Sequence, residues 1–335
     1  MKNLILAIES SCDDSSIAII CKDTYACIFH KKISQESEHS LYGGVVPELA
    51  ARLHTAALPK ILEECKDYFP RLCAIAVTNE PGLSVSLIGG ITMAKTLALS
   101  LKLPLISINH LKGHIYSLFL EEKVCLNMGI LLVSGGHTMV LYVDEKAKIH
   151  TLASTNDDSF GESFDKVAKM MNLGYPGGAI IENLAKKAKT KSLHFSVPML
   201  HSKELNYSFS GLKNAVRLEI LKYEKLDEEI KSEIAFAFEE AAILHILNKL
   251  EKIFKIYNFQ NFGIVGGASA NLKLRQSIEK LCSKFSCDLK LAPLEYCSDN
   301  ALMIARAACD AYVREEFTDF KSEILSPKNT NFTIL

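Results

Sequence analysis

Two histidines four positions apart carry the sharpest chemical signal in the chain. They are His110 and His114, in the run Asn109-His110-Leu111-Lys112-Gly113-His114. On a helix this spacing puts both imidazoles on one face. That suits two-point metal binding, and ordinary surface or core pairs show it as well. A zinc protease of the His-Glu-x-x-His kind takes its general base from the position after the first histidine. Here that position is Leu111, and the neighbouring Lys112 is no carboxylate. A metal on two histidines favours a third, anionic ligand. Asp299, in Cys297-Ser298-Asp299-Asn300-Ala301, offers one just before an expected helix. The same aspartate also reads as an N-cap, and spacing leaves both readings open.

Other carboxylates gather in turns. Asp13 and Asp14 can coordinate a magnesium-bound phosphate or polarise an attacking group, or they can form an Asx turn. In the acid-dense run from Asp157 to Lys166, Asp165 is expected at a helix start. There it can accept from ribose hydroxyls, or simply be a favourable charge near a helix N-terminus. His137, beside a glycine pair, can contact substrate or stabilise its turn. Lys186, Lys187, Lys189 and Lys191 read as a solvated helix face or as contacts to RNA phosphates.

The elements that must position these groups repeat. Leu4 to Ile8, a polar turn and Ile17 to Ile20 form one apolar–turn–apolar unit. Gly129 to Val133, Ser134-Gly135-Gly136-His137-Thr138 and Met139 to Val143 form another. Both read as buried strands joined in a hairpin, with turn N–H groups suited to a phosphate. Seen twice, about one domain apart, they point to a duplicated fold. A third turn, Gly266-Gly267-Ala268-Ser269-Ala270-Asn271, leads to a helix that Asn271 can cap. Glu228 to Lys255 and Met303 to Tyr312 read as helices, Gly174 to Gly178 as a turn and Ser202 to Ser210 as a loop. The expected class is α/β with two lobes and a cleft.

Bulk properties narrow the function. The 335 residues allow two domains, and 48% hydrophobic residues suffice for two cores. A net charge of -1 argues against unaided gripping of nucleic acid. Ten scattered cysteines with no C-x-x-C pair read as free thiols of a reducing compartment. No stretch is read as approaching the roughly 20 apolar residues of a membrane span. The expected location is cytoplasmic.

Taken together and in order, the motifs resemble the TsaD family, the tRNA N6-adenosine threonylcarbamoyltransferases once called O-sialoglycoprotein endopeptidases. The resemblance rests on Ile8-Glu9-Ser10-Ser11-Cys12-Asp13, Tyr42 to Ala50, the histidine pair, Leu132 to Thr138 and Gly161 to Ala168. It continues through Gly174-Tyr175-Pro176-Gly177-Gly178, Ser208 to Lys213, Gly266 to Asn271 and Ser298-Asp299-Asn300-Ala301.

The resemblance implies the actin-like ATPase fold of sugar kinases, Hsp70 and actin, with duplicated lobes and a central nucleotide cleft. The lobes would span residues 1–120 and 121–299, with helical insertions in the second and a C-terminal helix from about 300–335 packing on the first. The implied reaction moves a threonylcarbamoyl group from threonylcarbamoyl-adenylate to N6 of the adenosine 3′ of the anticodon, in tRNAs reading codons that start with A. The implied metal ligands are His110, His114 and Asp299, holding iron or alternatively zinc, with magnesium accompanying bound nucleotide. Substrate contacts would come from Leu132, Val133, Ser134, Gly135, Gly136, Asp165, Gly178, Glu182 and Asn271, and catalytic carboxylates from Asp13 and Asp14. Implied partners are tRNA, an inactive paralogue (TsaB-like) and a small P-loop ATPase (TsaE-like), without a membrane.

The chain departs from the family pattern at Glu80 and Val85, where glycines are usual, and at Lys112, Asp14 and Asn214. Rival readings are a metallopeptidase, a small-molecule kinase of the same architecture and a non-catalytic scaffold subunit. The first lacks its base, the second needs no histidine-bound metal, and the third would lack the histidine pair.

Overall fold

The computed structural model describes residues 2–322, 324–330 and 332–334. The chain forms two compact units, residues 1–125 with 292–335, and residues 126–291.

In the first unit, Leu4–Glu9 (β1) and Asp14–Cys21 (β2) are buried at nearly every position. Unbroken runs rich in isoleucine and leucine suit strands covered on both faces. The two pair antiparallel, with Leu4 opposite Cys21 and Glu9 opposite Ser16. Cys27–Ser34 (β3) extends the hairpin beyond β2. The helices Glu36–Ser40 (α1) and Pro47–Glu64 (α2) follow. Leu72–Glu80 (β4) then joins β1 in parallel, and after the helix Ser84–Leu101 (α3), Leu105–Asn109 (β5) joins β4 in parallel. The sheet order is β3-β2-β1-β4-β5. The short helix His110–Tyr116 (α4) starts directly at the end of β5. Side chains of β1 and β4 pack with Leu58 and Ile61 of α2 and Leu87 and Ile91 of α3.

One reading of the sequence is corrected here. By length and composition α3 is apolar enough to cross a membrane, with mean hydropathy 1.4 over its 18 residues. Its residues Ser86, Leu87, Gly90, Ile91, Ala94 and Ala98 are nevertheless buried, a stripe at helical spacing. The stripe packs on β4 and α2.

The second unit repeats the plan. Met128–Val133 (β6) pairs antiparallel with Thr138–Val143 (β7), which pairs antiparallel with Ile149–Ser154 (β8). Helices Phe160–Met170 (α5), Gly177–Ala185 (α6), Ser210–Ile220 (α7) and Glu228–Ile256 (α8) follow. Asn261–Val265 (β9) then joins β6 in parallel, and after Leu272–Lys284 (α9), Asp288–Leu291 (β10) joins β9 in parallel. The order β10-β9-β6-β7-β8 reproduces that of the first sheet, element for element and sense for sense. The core gathers Leu131, Val133, Phe160, Phe164, Phe238 and Ile246. Each such side chain stabilises the fold by about 1.5–3 kcal/mol on burial.

Helix boundaries and caps correct four expectations. The last helix, Ala301–Val313 (α10), belongs to the first unit and takes its cap from Asn300, whose side chain accepts from Met303 N. Asp299 is therefore not the cap. The helix is shorter than the expected 300–335, of which residues 323, 331 and 335 lie outside the described residues. Helix α5 starts at Phe160 with Ser159 as its cap, so Asp165 lies mid-helix rather than at the start. Helix α6 ends at Ala185, and Lys186, Lys187, Lys189 and Lys191 are exposed beyond it, not along a helix face.

Helix α7 has no cap from its own N-terminal residue. Instead Asp157 accepts from Phe209 N (2.8 Å), Ser210 N (3.2 Å) and the hydroxyls of Ser208 and Ser210. Burial pushes the Asp157 carboxyl up, but these bonds hold it below the ordinary 3.8. A depressed carboxylate contributes stability that is present above its unfolded pKa and lost as pH falls through the folded value. Asp157→Ala is expected to lower stability at pH 7 by about 1 kcal/mol, the worth of a helix cap. Below pH ~4 the difference from wild type should shrink, as urea unfolding across pH will test.

Candidate functional site

Asn109 ends β5 and caps α4, its side chain accepting from Leu111 N and Lys112 N. The cap fixes the first turn of α4, so His110 and His114 stand one turn apart with ring centroids 4.5 Å from each other. Asp299 reaches them from the segment before α10. Its Oδ1 lies 3.4 Å from His110 Nε2 and 3.3 Å from His114 Nε2. The three ligand atoms all fall within 4.8 Å of one another. The Asp299 segment is anchored on both sides: Lys32 donates to Ser298 Oγ (2.9 Å), and Ala301 N donates to Ser16 Oγ (3.0 Å).

Glu9, fully buried at the end of β1, was not singled out by spacing. Its carboxylate accepts from Ser11 N (2.6 Å) and Thr78 Oγ1 (2.5 Å) and lies 3.1 Å from His110 Nδ1. A carboxylate on the outer nitrogen sets the tautomer and turns the inner nitrogen toward a metal. No local pattern ties Glu9 to a partner 101 positions away. Only the parallel pairing of β1, β4 and β5 brings the two together.

Burial disfavours charge at every one of these groups. At His110 it is outweighed by Asp299 and then Glu9, which hold the imidazole well above its usual range. Against the same burial, His110 holds Asp299 well below the carboxylate range and Glu9 below it. Burial and then the charge on His110 push His114 down.

These residues fit a divalent metal. Both ring nitrogens of the fully buried His114 lack a hydrogen-bond partner among the described residues. A buried histidine ordinarily satisfies at least one. The carboxylates of Glu9 and Asp299 demand two positive charges in a buried setting, which one dication supplies while both imidazoles stay neutral. Two imidazoles and one carboxylate are the donor set of non-haem iron and of catalytic zinc, not of calcium or magnesium. Leu111 is fully buried and supplies no base, as expected from the sequence.

Asp13 and Asp14 lie in the same unit. Asp14 Oδ2 accepts from Lys32 Nζ (2.8 Å), while Oδ1 is buried without a hydrogen-bond partner. Burial pushes the Asp14 carboxyl up to about 6 against the pull of Lys32. Burial and then Asp299 push Asp13 up. Lys32 thus links Asp14 to the Asp299 segment, a role with no signal in the sequence.

The second unit holds the remaining expected residues. Leu132 and Val133 are fully buried in β6 and offer a ligand no side chain. The turn after them rests on the start of α5, where Ser159 Oγ donates to Gly135 O (2.7 Å). A side chain at Gly135, Gly136 or Gly178 would meet open space, so their backbone is approachable. Gly266, by contrast, has φ +92, and a Cβ there would lie 2.3 Å from Val133 O, which only glycine avoids. Asp165 Oδ1 accepts from Gly177 N (2.7 Å), joining α5 to the start of α6. Glu182 Oε1 accepts from Leu272 N (3.2 Å) and pairs with Lys186 at 2.9 Å. Asn271 caps α9 through Leu274 N and donates to Glu239 Oε1 (2.8 Å). Asp165 of α5 is thereby tied to the start of α6, beside Gly178, and Glu182 of α6 to the start of α9, beside Asn271. Glu239 is an addition the sequence did not signal.

Known proteins resemble this chain throughout. The family model described as TsaD, tRNA N6-adenosine threonylcarbamoyltransferase, matches residues 26–306. Proteins of that name are similar over nearly full length. One from Campylobacter jejuni is 74% identical over 99% of both chains, and one from Campylobacter fetus is 58% identical over 97% of both. Among solved structures, HypF from T. kodakarensis matches 95% of this chain and 48% of its own, with TM-score 0.64 at 13% identity. An activator of 2-hydroxyisocaproyl-CoA dehydratase from Clostridium difficile matches 96% of this chain and all of its own, with TM-score 0.53 at 14% identity. At such identities the likeness shows fold alone, the two-lobed actin-like class expected from the sequence.

Proposed function

This chain belongs to the TsaD family of tRNA N6-adenosine threonylcarbamoyltransferases, and on that footing we propose that it moves the threonylcarbamoyl group of threonylcarbamoyl-adenylate onto tRNA. The acceptor is N6 of the adenosine 3′ of the anticodon, in tRNAs reading codons that start with A. The observation that carries the mechanism is the convergence of His110 Nε2, His114 Nε2 and Asp299 Oδ1.

The donor is a mixed anhydride, so its carbonyl is already activated. N6 attacks that carbon, the bond to the phosphate oxygen breaks, AMP leaves and N6 sheds a proton. No covalent enzyme intermediate is needed, only placement and charge stabilisation. His110, His114 and Asp299 would hold iron or zinc, which when bound supplies Lewis acidity toward phosphate oxygens. Glu9 keeps His110 turned to that task. Asp14, whose carboxyl burial pushes up to about 6, would serve as the base for the proton of N6, with Asp13 next to it. In the second unit, the open backbone of Ser134 to Gly136 and Gly178, with Asp165, Glu182 and Asn271, would bind the nucleoside and phosphate of the donor. Magnesium would accompany nucleotide rather than occupy the histidine site.

The net charge of -1 supports tRNA delivery with partners, an inactive paralogue and a small P-loop ATPase by family resemblance. Ten free cysteines support a reducing cytoplasmic setting. Calorimetry with a non-hydrolysable threonylcarbamoyl-adenylate analogue tests the substrate site. Gly178→Val, which fills the open space, is expected to weaken binding by about ten-fold or more. Unchanged affinity would remove Gly178 from the donor site.

A further inference from the structure

We infer that Glu239 is a positioning residue for the donor site, holding the Asn271 amide in the orientation that presents an N–H to the adenylate. The inference rests on the reading that Asn271 contacts that substrate. Asn271 stands at the N-terminus of α9, where its Oδ1 accepts from Leu274 N at 2.8 Å. Its Nδ2 donates to Glu239 Oε1 at 2.8 Å. A side-chain amide has two N–H groups, so one remains for a ligand acceptor such as a ribose oxygen. Turning the amide over would set N–H against the N–H of Leu274 and oxygen against the Glu239 carboxylate. Both contacts would be repulsive, and the pair of bonds admits one orientation only.

Glu239 does not merely cap the helix. The first amide of α9, Leu272 N, is taken by Glu182, and no helix amide donates to Glu239 among the described hydrogen bonds. Glu239 is 3% exposed and lies on α8, a helix of the core that packs against α6 and α9. Lys273 lies 3.7 Å from its second oxygen and offsets the buried charge. Glu239 thus acts through Asn271, and a neutral acceptor at the same place should serve nearly as well.

The test is steady-state transfer by the full chain with its partners, tRNA and threonylcarbamoyl-adenylate, alongside thermal melting of each variant. Glu239→Ala is expected to raise KM for the adenylate about ten-fold, the effect of losing one well-placed hydrogen bond, with kcat within about two-fold. Glu239→Gln keeps an acceptor oxygen and should stay within about three-fold of wild type in KM. Glu239→Met keeps the volume without the acceptor and should match Glu239→Ala, which secures the reading if the alanine variant does not fold. Asn271→Ala is the reference. A raised KM in Asn271→Ala with wild-type KM in Glu239→Ala or Glu239→Met overturns this inference alone. A wild-type KM in Asn271→Ala overturns the donor-site reading, and this inference with it. A lowered melting temperature without a change in KM at Glu239 assigns it a purely structural role and also overturns the inference.

Discussion

In His114→Ala, bound metal is expected to fall to background and threonylcarbamoyl transfer to drop by more than about 100-fold. Loss of a residue that merely orients a ligand typically costs 10–100-fold, and His114 is proposed as a ligand itself. Alanine at a buried histidine would ordinarily strand hydrogen-bond partners. Here neither ring nitrogen makes a well-aligned hydrogen bond among the described residues, so the metal-free variant loses packing and the 3.3 Å approach of Nε2 to Asp299, which keeps His110 beside it. The variant should therefore melt near wild type when both are stripped of metal. Only wild type should gain stability when iron or zinc is added, because a ligand that binds the folded state stabilises it by mass action. Elemental analysis with paired melting curves makes the comparison. Wild-type metal content in the variant would exclude His114 from the site.

Glu9 gives the second large effect, and its two substitutions separate fold from chemistry. Glu9→Ala leaves Ser11 N–H and Thr78 O–H without their buried acceptor, and His110 Nδ1 with only Ser11 Oγ, 3.1 Å away. Each unsatisfied group costs about 1–3 kcal/mol, so global destabilisation of roughly 3–5 kcal/mol is expected by chemical unfolding. Glu9→Gln keeps the shape but presents an N–H where only acceptors fit, and it removes one of two buried negative charges. Metal affinity should fall by about 10–100-fold, with a milder loss of stability than in the alanine variant. Equal metal affinity in wild type and Glu9→Gln would show that the carboxylate does not tune His110.

How much of this was legible before folding depends on distance along the chain. His110 and His114 are readable because one helical turn is a local rule, and Asn271 because a cap needs only its own helix. The hairpins β1–β2 and β6–β7 announce themselves by unbroken apolar runs around polar turns. From spacing Asp299 reads equally as a metal ligand or as the cap of α10, and in the fold the cap falls to Asn300. Asp165 was placed a turn too early because the true cap, Ser159, lies in a run of several plausible ones. Glu9, Lys32 and Glu239 left no signal, since each meets its partner only through sheet or helix packing. Helix α3 shows the converse: its composition matches a membrane span, yet one stripe of it, Leu87 and Ile91 among its residues, is buried on β4 and α2.

The most direct measurement is nucleoside mass spectrometry of unmodified tRNA after incubation with metal-loaded protein, its partners and threonylcarbamoyl-adenylate. N6-threonylcarbamoyladenosine should appear beside the anticodon with one AMP released per transfer, and the variant carrying both His110→Ala and His114→Ala should give almost none. No modified nucleoside from wild type, or full product from that double variant, would contradict the assignment of this chain as a transferase built on the His110–His114–Asp299 centre.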